Sequence, residues 1–301
     1  MTHSSIHNRK STITKSLLSW YRKNARPLPW RKTRNPYRIL VSEVMLQQTQ
    51  VSRVLRKYTE FLRRFPNFSS LAHARTGDVI RAWAGMGYNN RAIRLQQIAK
   101  EIMNDNDGRL PSDIHILQKL PGIGRYTAHA VACFSFGQHT AVVDTNVRRI
   151  LARLFPKRAR SLDEWELAES VLPKRKAYEW NQALMELGSA HCTAAHPRCV
   201  NCPLKQYCPN AFRIHNPKKS YTGKKQRAMI PNRIYRGRIV ALLRAMSRRQ
   251  SIESNRLLHM IRPKARSQNQ KWFSLILTRL QRDGLIQIHS QKTKSFISLP
   301  K

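Results

Sequence analysis

Leu120-Pro121-Gly122-Ile123-Gly124-Arg125-Tyr126-Thr127-Ala128 lies between two stretches whose apolar residues recur at helical spacing. Two glycines flanking Ile123 permit a tight turn and the close approach of another backbone. The helix that begins after the turn would offer its first N–H groups to an anion. By itself the segment also reads as an ordinary glycine-rich connection between helices. Its weight comes from what lies on either side.

Apolar residues at three- and four-residue steps predict helices over 76–84, 89–104 and 113–119 upstream, and over 125–136, 145–155, 163–172 and 177–190 downstream. Pro36 opens a long helix expected to run to about Tyr58, since proline suits a first helical turn. Strand-like alternation is scarce, so an all-α domain is predicted over 13–210. Residues 1–12 are polar and basic and read as a disordered tail. Residues 211–233 carry Pro217, Gly223 and Pro231 among many lysines and arginines, as a basic linker would. Beyond it, helical spacing covers 234–246, 252–261 after Ser251 as N-cap, and 269–283 with Trp272, Ile276 and Leu280 on one face before Gly284. Leu285–Ile288 and Phe296–Leu299 could then pair as a hairpin around a basic turn. Three helices and a hairpin over 234–301 resemble a winged-helix domain, a module that binds DNA or protein.

Four of the five cysteines crowd together: Cys192, Cys199, Cys202 and Cys208, spaced C-x6-C-x2-C-x5-C. Four thiolates this close call for a metal centre. An iron–sulfur cubane takes four cysteine ligands. All-cysteine zinc is the competing reading, although the uneven spacing fits a symmetric pair of C-x2-C steps poorly. Disulfides are disfavoured, because residues 1–12 lack the apolar run of a signal peptide. Cys133 lies in an apolar helical stretch and reads as a small buried hydrophobe.

Lys and Arg number 56 against 16 Asp and Glu, a formal net charge of +40. Such a chain attracts polyanions, nucleic acid above all. No apolar run approaches the ~18 residues that span a bilayer, so membrane partners are not expected. Two carboxylates stand out from the basic background. Asp144, in Val143-Asp144-Thr145-Asn146, suits a helix N-cap and would be held rigidly there. Glu43 shares a helical face with Ile39, Leu40 and Gln47, an unusual place for a carboxylate.

Together these segments resemble the helix-hairpin-helix base-excision DNA glycosylases of the endonuclease III superfamily, and most of all their adenine-specific, MutY-like branch. The resemblance rests on Leu28-Pro29-Trp30-Arg31, Ser42-Glu43-Val44-Met45-Leu46-Gln47-Gln48-Thr49-Gln50, Gly85-Met86-Gly87-Tyr88, Leu120–Thr127, Val143–Val147 and the four cysteines. It implies two helical subdomains with a DNA-binding cleft, a [4Fe-4S] cluster on Cys192, Cys199, Cys202 and Cys208, and hydrolysis of the N-glycosidic bond of adenine opposite 8-oxoguanine or guanine. It further implies Glu43 as general acid, Asp144 as stabiliser of the sugar cation, and Tyr126 and Asn146 as their supports, with Glu186 a lesser candidate for support. Gln48 and Tyr88 would fill the vacated base stack. Trp30, Arg31, Leu46, Thr49, Gly122, Gly124, Arg125 and Thr127 would contact substrate or DNA, and Arg198 and Lys205 of the cysteine loop would meet phosphates. Bifunctional relatives carry lysine where Tyr126 stands, so the resemblance implies a monofunctional enzyme. It would act as a cytoplasmic, nucleoid-associated monomer on double-stranded DNA, with the C-terminal domain open to a protein partner.

Several positions depart from that pattern. Full-length adenine glycosylases continue into a Nudix-like domain that reads 8-oxoguanine, a pattern that residues 219–301 lack. Thr145 replaces a glycine common in the adenine branch, and Asn89 replaces a second tyrosine. Thymine- or uracil-mismatch glycosylases share the fold, the tyrosine and the aspartate, and are the alternative reading. A non-catalytic DNA-binding protein is a further alternative, disfavoured because Glu43 and Asp144 are both present.

Overall fold

A computed structural model describes residues 3–105, 107–213, 230–248, 250–263, 269–291 and 294–301. In chain order the helices are α1 (His3–Asn24), α2 (Pro36–Leu46), α3 (Val51–Arg64), α4 (Phe68–Ala72), α5 (Thr76–Ala82), α6 (Asn90–Asp105) and α7 (Ile114–Lys119). There follow α8 (Arg125–Phe136), α9 (Thr145–Leu154), α10 (Glu164–Val171), α11 (Ala177–Ala190) and α12 (Asn232–Ala245). The chain closes with β1 (Ile252–Glu253), α13 (Ser254–Ile261), α14 (Asn269–Arg282), β2 (Gln287–Gln291) and β3 (Lys294–Ser298). Two compact units result: Met1–Leu40, Ser112–Lys119 and Ile123–Tyr221 form the first, and Val41–Pro111, Leu120–Gly122 and Thr222–Lys301 the second.

In the first unit α11 packs against α1 and α9. Its ends are set locally. Asp144 caps α9 through Val147 N, Asp163 and Glu166 form a capping box at α10, and Gly137 closes α8 in a left-handed conformation. The expected tail is not one: α1 begins at His3. No proline or glycine interrupts the chain before Pro27, so nothing local stops the helix from starting early. Lys10 Nζ donates to the Ser170 carbonyl at 3.1 Å and anchors that end.

In the second unit the long helix expected from Pro36 to Tyr58 is two, α2 and α3. The chain turns between them at Gln48, whose φ is 52°. Arg91 causes the break by taking the carbonyls of Val44, Met45 and Gln47 at 2.9, 2.9 and 2.6 Å. A helix whose last carbonyls are claimed by a guanidinium has reason to end.

The C-terminal segment has the winged-helix order of elements, with an antiparallel sheet β1-β3-β2. Ile252 stands opposite Ile297, which stands opposite Ile288. Ser251 does not cap a helix there. Residues 252–253 pair with β3 instead, and Glu253 precedes α13 without a side-chain cap. Part of the expected basic turn, residues 292–293, and most of the basic linker lie outside the described residues. The segment is not a separate body: Ile80 of α5 and Ile93 of α6 belong to one buried cluster with Ile239, Leu257, Phe273, Leu280, Ile297 and Leu299. Gly77 N donates to Pro300 O at 2.9 Å, and a Cβ at Gly77 would come within 2.6 Å of that oxygen.

Ile297→Ala is expected to cost about 2–5 kcal/mol, the usual range for truncating a buried isoleucine. Because the core is shared, the loss should lower one cooperative transition of the second unit, followed by hydrogen exchange at α5 and α6. A C-terminal segment that melts alone, with α5 and α6 still protected, would contradict the shared core.

Candidate active site and cysteine loop

Glu43 sits on α2, 4% exposed, between buried Val41 and Val44. Beside it the end of α2 is ordered by Arg91, 5% exposed, which donates to the carbonyls of Val44, Met45 and Gln47. Arg91 Nη2 also donates to Thr49 Oγ1 at 2.9 Å and to the carbonyls of Met86 and Gly87 at 3.2 Å. One side chain thus joins the turn carrying Gln48 to the loop carrying Tyr88. Gln48 and Tyr88 are both exposed, and both hold a positive φ, 52° and 43°. Leu46 is partly exposed at the end of α2.

Asp144 is half-buried at the start of α9. Its Oδ1 accepts from Val147 N at 2.7 Å and its Oδ2 from Asn146 Nδ2 at 2.8 Å. Asn146, expected beside this carboxylate, thus hydrogen-bonds it directly. Asn146 Oδ1 accepts from Arg149 Nη2 at 2.7 Å, and Arg149 Nε donates to the Cys192 carbonyl at 2.8 Å. A continuous path of hydrogen bonds thus runs from Asp144 to the first cysteine of the loop. Gly188 makes the packing possible: a Cβ there would lie 2.6 Å from Asn146 Cβ. Tyr126, half-buried, is the second residue of α8, whose N-cap Gly124 provides no side-chain cap. Gly122 has φ +79°, and a Cβ there would meet Arg94 Cδ at 2.7 Å, whereas Gly124 has open space around it. Arg125 lies over the Trp165 ring, 4.2 Å from its centroid.

Three expected contacts lie inside. Thr127 and Trp30 are buried. Arg31 pairs with Glu186 at 2.7 Å and donates to Gln182 Oε1 at 2.8 Å. Glu186, 2% exposed, also meets Arg26 at 2.5 Å. It fastens the 26–31 segment by two arginines, so the structure gives it a packing partner set rather than the support of a catalytic carboxylate. Cys133 is fully buried, as expected.

Cys192, Cys199, Cys202 and Cys208 line one cavity. Among the described residues no three His, Cys, Asp or Glu converge as a single ion requires. Four cysteine thiolates are the donor set of an iron–sulfur cubane or of an all-cysteine zinc. Burial pushes the Cys202 thiol up to about 11 and raises that of Cys208. Four thiolates here need cationic charge at their centre. Arg153 supplies part of the surrounding order: Nη1 donates to Cys192 Sγ at 3.2 Å and to Thr193 O at 2.8 Å. Arg198 is exposed, while Lys205 Nζ is tied to Val200 O at 2.8 Å. Neither Arg149 nor Arg153 was singled out from sequence, where nothing separates them from the many other arginines.

The chain is similar to known base-excision repair proteins. A family model described as "HhH-GPD superfamily base excision DNA repair protein" matches residues 41–174. The adenine DNA glycosylase of Mycobacterium tuberculosis is 44% identical over 238 residues, covering 76% of this chain and 78% of that protein. The human adenine DNA glycosylase is 41% identical over 217 residues, covering 66% of this chain and 39% of that protein. A thermostable thymine-DNA glycosylase superposes with TM-score 0.66 at 29% identity, covering 70% of this chain and 100% of its own. An endonuclease III in complex with DNA shares the fold at TM-score 0.60 and 23% identity, covering 71% and 98%.

Arg149→Met is expected to cost about 1–3 kcal/mol, as loss of charge-assisted hydrogen bonds does, seen as a lower denaturant midpoint at unchanged slope. It should also speed the reaction of Cys192 with a thiol reagent in metal-free protein. Unaltered thiol reactivity would show that the Cys192 carbonyl contact does not order the loop.

Proposed function

Because the chain belongs to the helix-hairpin-helix family of base-excision DNA glycosylases, in its adenine DNA glycosylase branch, we propose that it is a monofunctional enzyme releasing adenine mispaired with 8-oxoguanine or guanine. The observation that carries the reading is the contrast between its two carboxylates: Glu43 buried in an apolar helix face, Asp144 locked by two hydrogen bonds at a helix start. Two acids in such different surroundings are suited to different jobs.

The target base cannot be reached inside a duplex, so the nucleotide is extruded. Adenine anion leaves poorly, and Glu43 donates a proton to a ring nitrogen, a contribution of typically ~10²–10⁴-fold. The sugar left behind is oxocarbenium-like, and the Asp144 carboxylate stabilises it by charge or by transient covalent capture. Held by Val147 N and Asn146, that carboxylate needs little reorganisation when the cation forms. Water then adds to the sugar, with Glu43, now ionised, accepting its proton. Tyr126 cannot form the Schiff base that a lysine would, so the strand stays intact.

Gln48 and Tyr88 fill the vacated stack and test the opposite base. The uncapped N-terminus of α8 and the open space at Gly124 receive the DNA backbone. The four cysteines would hold a [4Fe-4S] cluster, whose ligation would order the 192–208 loop and keep Arg198 near phosphate. Double-stranded DNA is the partner, bound by a monomer in the cytoplasm, and the charge of +40 makes binding steeply salt-dependent. Among the described residues no helix is long and apolar enough to cross a membrane.

The test is single-turnover base release from duplexes pairing A, T or U with 8-oxoguanine or guanine. Wild type should release adenine alone, and Glu43→Gln and Asp144→Asn should each abolish release while DNA binding persists. Release of thymine or uracil instead would move the chain to the mismatch branch, for which the likeness to the thymine-DNA glycosylase speaks. A variant with wild-type rate would remove its residue from the mechanism. Anoxically purified protein should carry close to four irons per chain, as a cubane on four cysteines implies (about four, by the ligand count). Stoichiometric zinc without iron would overturn the cluster assignment.

A further inference from the structure

The C-terminal domain reaches the loop that presents Tyr88. Arg244, on α12, donates through Nη2 to Asn89 Oδ1 at 2.7 Å. Burial lowers its pKa to about 10, so it stays charged at neutral pH. Its Nε is nevertheless buried with no hydrogen-bond partner. A buried charged donor left unsatisfied is costly, so the placement of this guanidinium against Asn89 is held despite a penalty. Asn89 follows Tyr88 directly, and its carbonyl accepts from Ala92 N at 3.1 Å as α6 begins.

Tyr88 itself is 58% exposed at φ 43°. A tyrosine keeps a left-handed backbone only where its surroundings over-determine it. On the inner side Arg91 Nε reaches the Tyr88 carbonyl at 3.4 Å, and the guanidinium lies 5.5 Å from the centroid of the Tyr88 ring. On the outer side the grip comes from Arg244 through Asn89. The domain is itself immobilised against α5, where Arg248 meets Asp78 at 3.2 Å and Arg81 Nη2 donates to Met246 O at 3.4 Å.

We propose that Arg244 is a positioning residue for opposite-base recognition: through Asn89 it fixes the backbone from which Tyr88 probes the base opposite adenine. The proposal rests on the adenine reading above. It makes the winged-helix domain part of the discrimination between 8-oxoguanine and guanine without any contact of its own to that base.

The experiment uses the full chain as wild type, Arg244→Met, Arg244→Lys, Tyr88→Ala and the double variant Arg244→Met with Tyr88→Ala. Two ratios are measured for 8-oxoguanine over guanine: single-turnover adenine release, and affinity for duplexes carrying a tetrahydrofuran abasic analogue in place of the adenosine. Arg244→Met should compress both ratios by about tenfold, the scale of one charge-assisted hydrogen bond, and Arg244→Lys should recover part. In the Tyr88→Ala background the same change should have no further effect, because residues that act through one another are not additive. If the arginine were purely stabilising, its loss would lower the thermal midpoint equally in both backgrounds and leave the ratios alone. Ratios kept by Arg244→Met, or the same loss with and without Tyr88, would overturn the proposal, as would a wild type with no preference in either measurement. A wild type that prefers 8-oxoguanine in binding yet releases no adenine would defeat the adenine reading, and the binding ratio would still judge Arg244.

Discussion

The second unit is organised around one buried guanidinium. Arg91 gives its donors to backbone carbonyls of Val44, Met45, Gln47, Met86 and Gly87 and to the Thr49 hydroxyl. Burial lowers its pKa only to about 10, so the charge persists at neutral pH. Paired with carbonyl dipoles rather than a carboxylate, it stabilises chain ends that would otherwise leave acceptors buried and unmet. The end of α2, the turn at Gln48 and the loop at Tyr88 all follow from this. Lysine could not replace it, since one ammonium cannot serve a fork of acceptors on two segments.

The first unit uses a parallel device with opposite polarity. Asp144 is an acceptor fixed at the start of a helix, where the N–H groups and the helix dipole favour negative charge. Asn146, Arg149 and the Cys192 carbonyl extend its hydrogen bonding into the cysteine loop. Rigidity at the aspartate and order in the loop are therefore linked by shared partners. Gly188 enters as a requirement of space, because any side chain there would displace Asn146.

Much of this was legible in the sequence where the cause is local. The Asp144 cap, the turn at Gly122 and the span of α8 follow from residues within a few positions of each other. The gathering of four cysteines around one cavity follows from their close spacing. What was not legible depends on distant partners. The break after α2 comes from Arg91, more than forty positions on. The pairing of Arg31 comes from Glu186, and the role of Arg149 from a backbone carbonyl in another segment. Helical periodicity could not show that residues 3–12 continue α1, because their composition is that of a solvated basic tail. Nor could it show that the C-terminal elements complete the core of α5 and α6, since each helix there has an apolar face that fits a separate domain equally well.

That last feature bears on how such a protein can change over generations. A domain joined by a linker can be lost or exchanged by a single recombination event at the linker. Here Ile80 and Ile93 share a core with residues from 235 to 299, and Gly77 is kept free of a Cβ by Pro300. A replacement domain would inherit an apolar surface shaped for another partner and a glycine with no evident purpose. The two halves of this unit must therefore vary in concert, and a chimera made at residues 214–229 would fail at α5 before any question of DNA recognition arose.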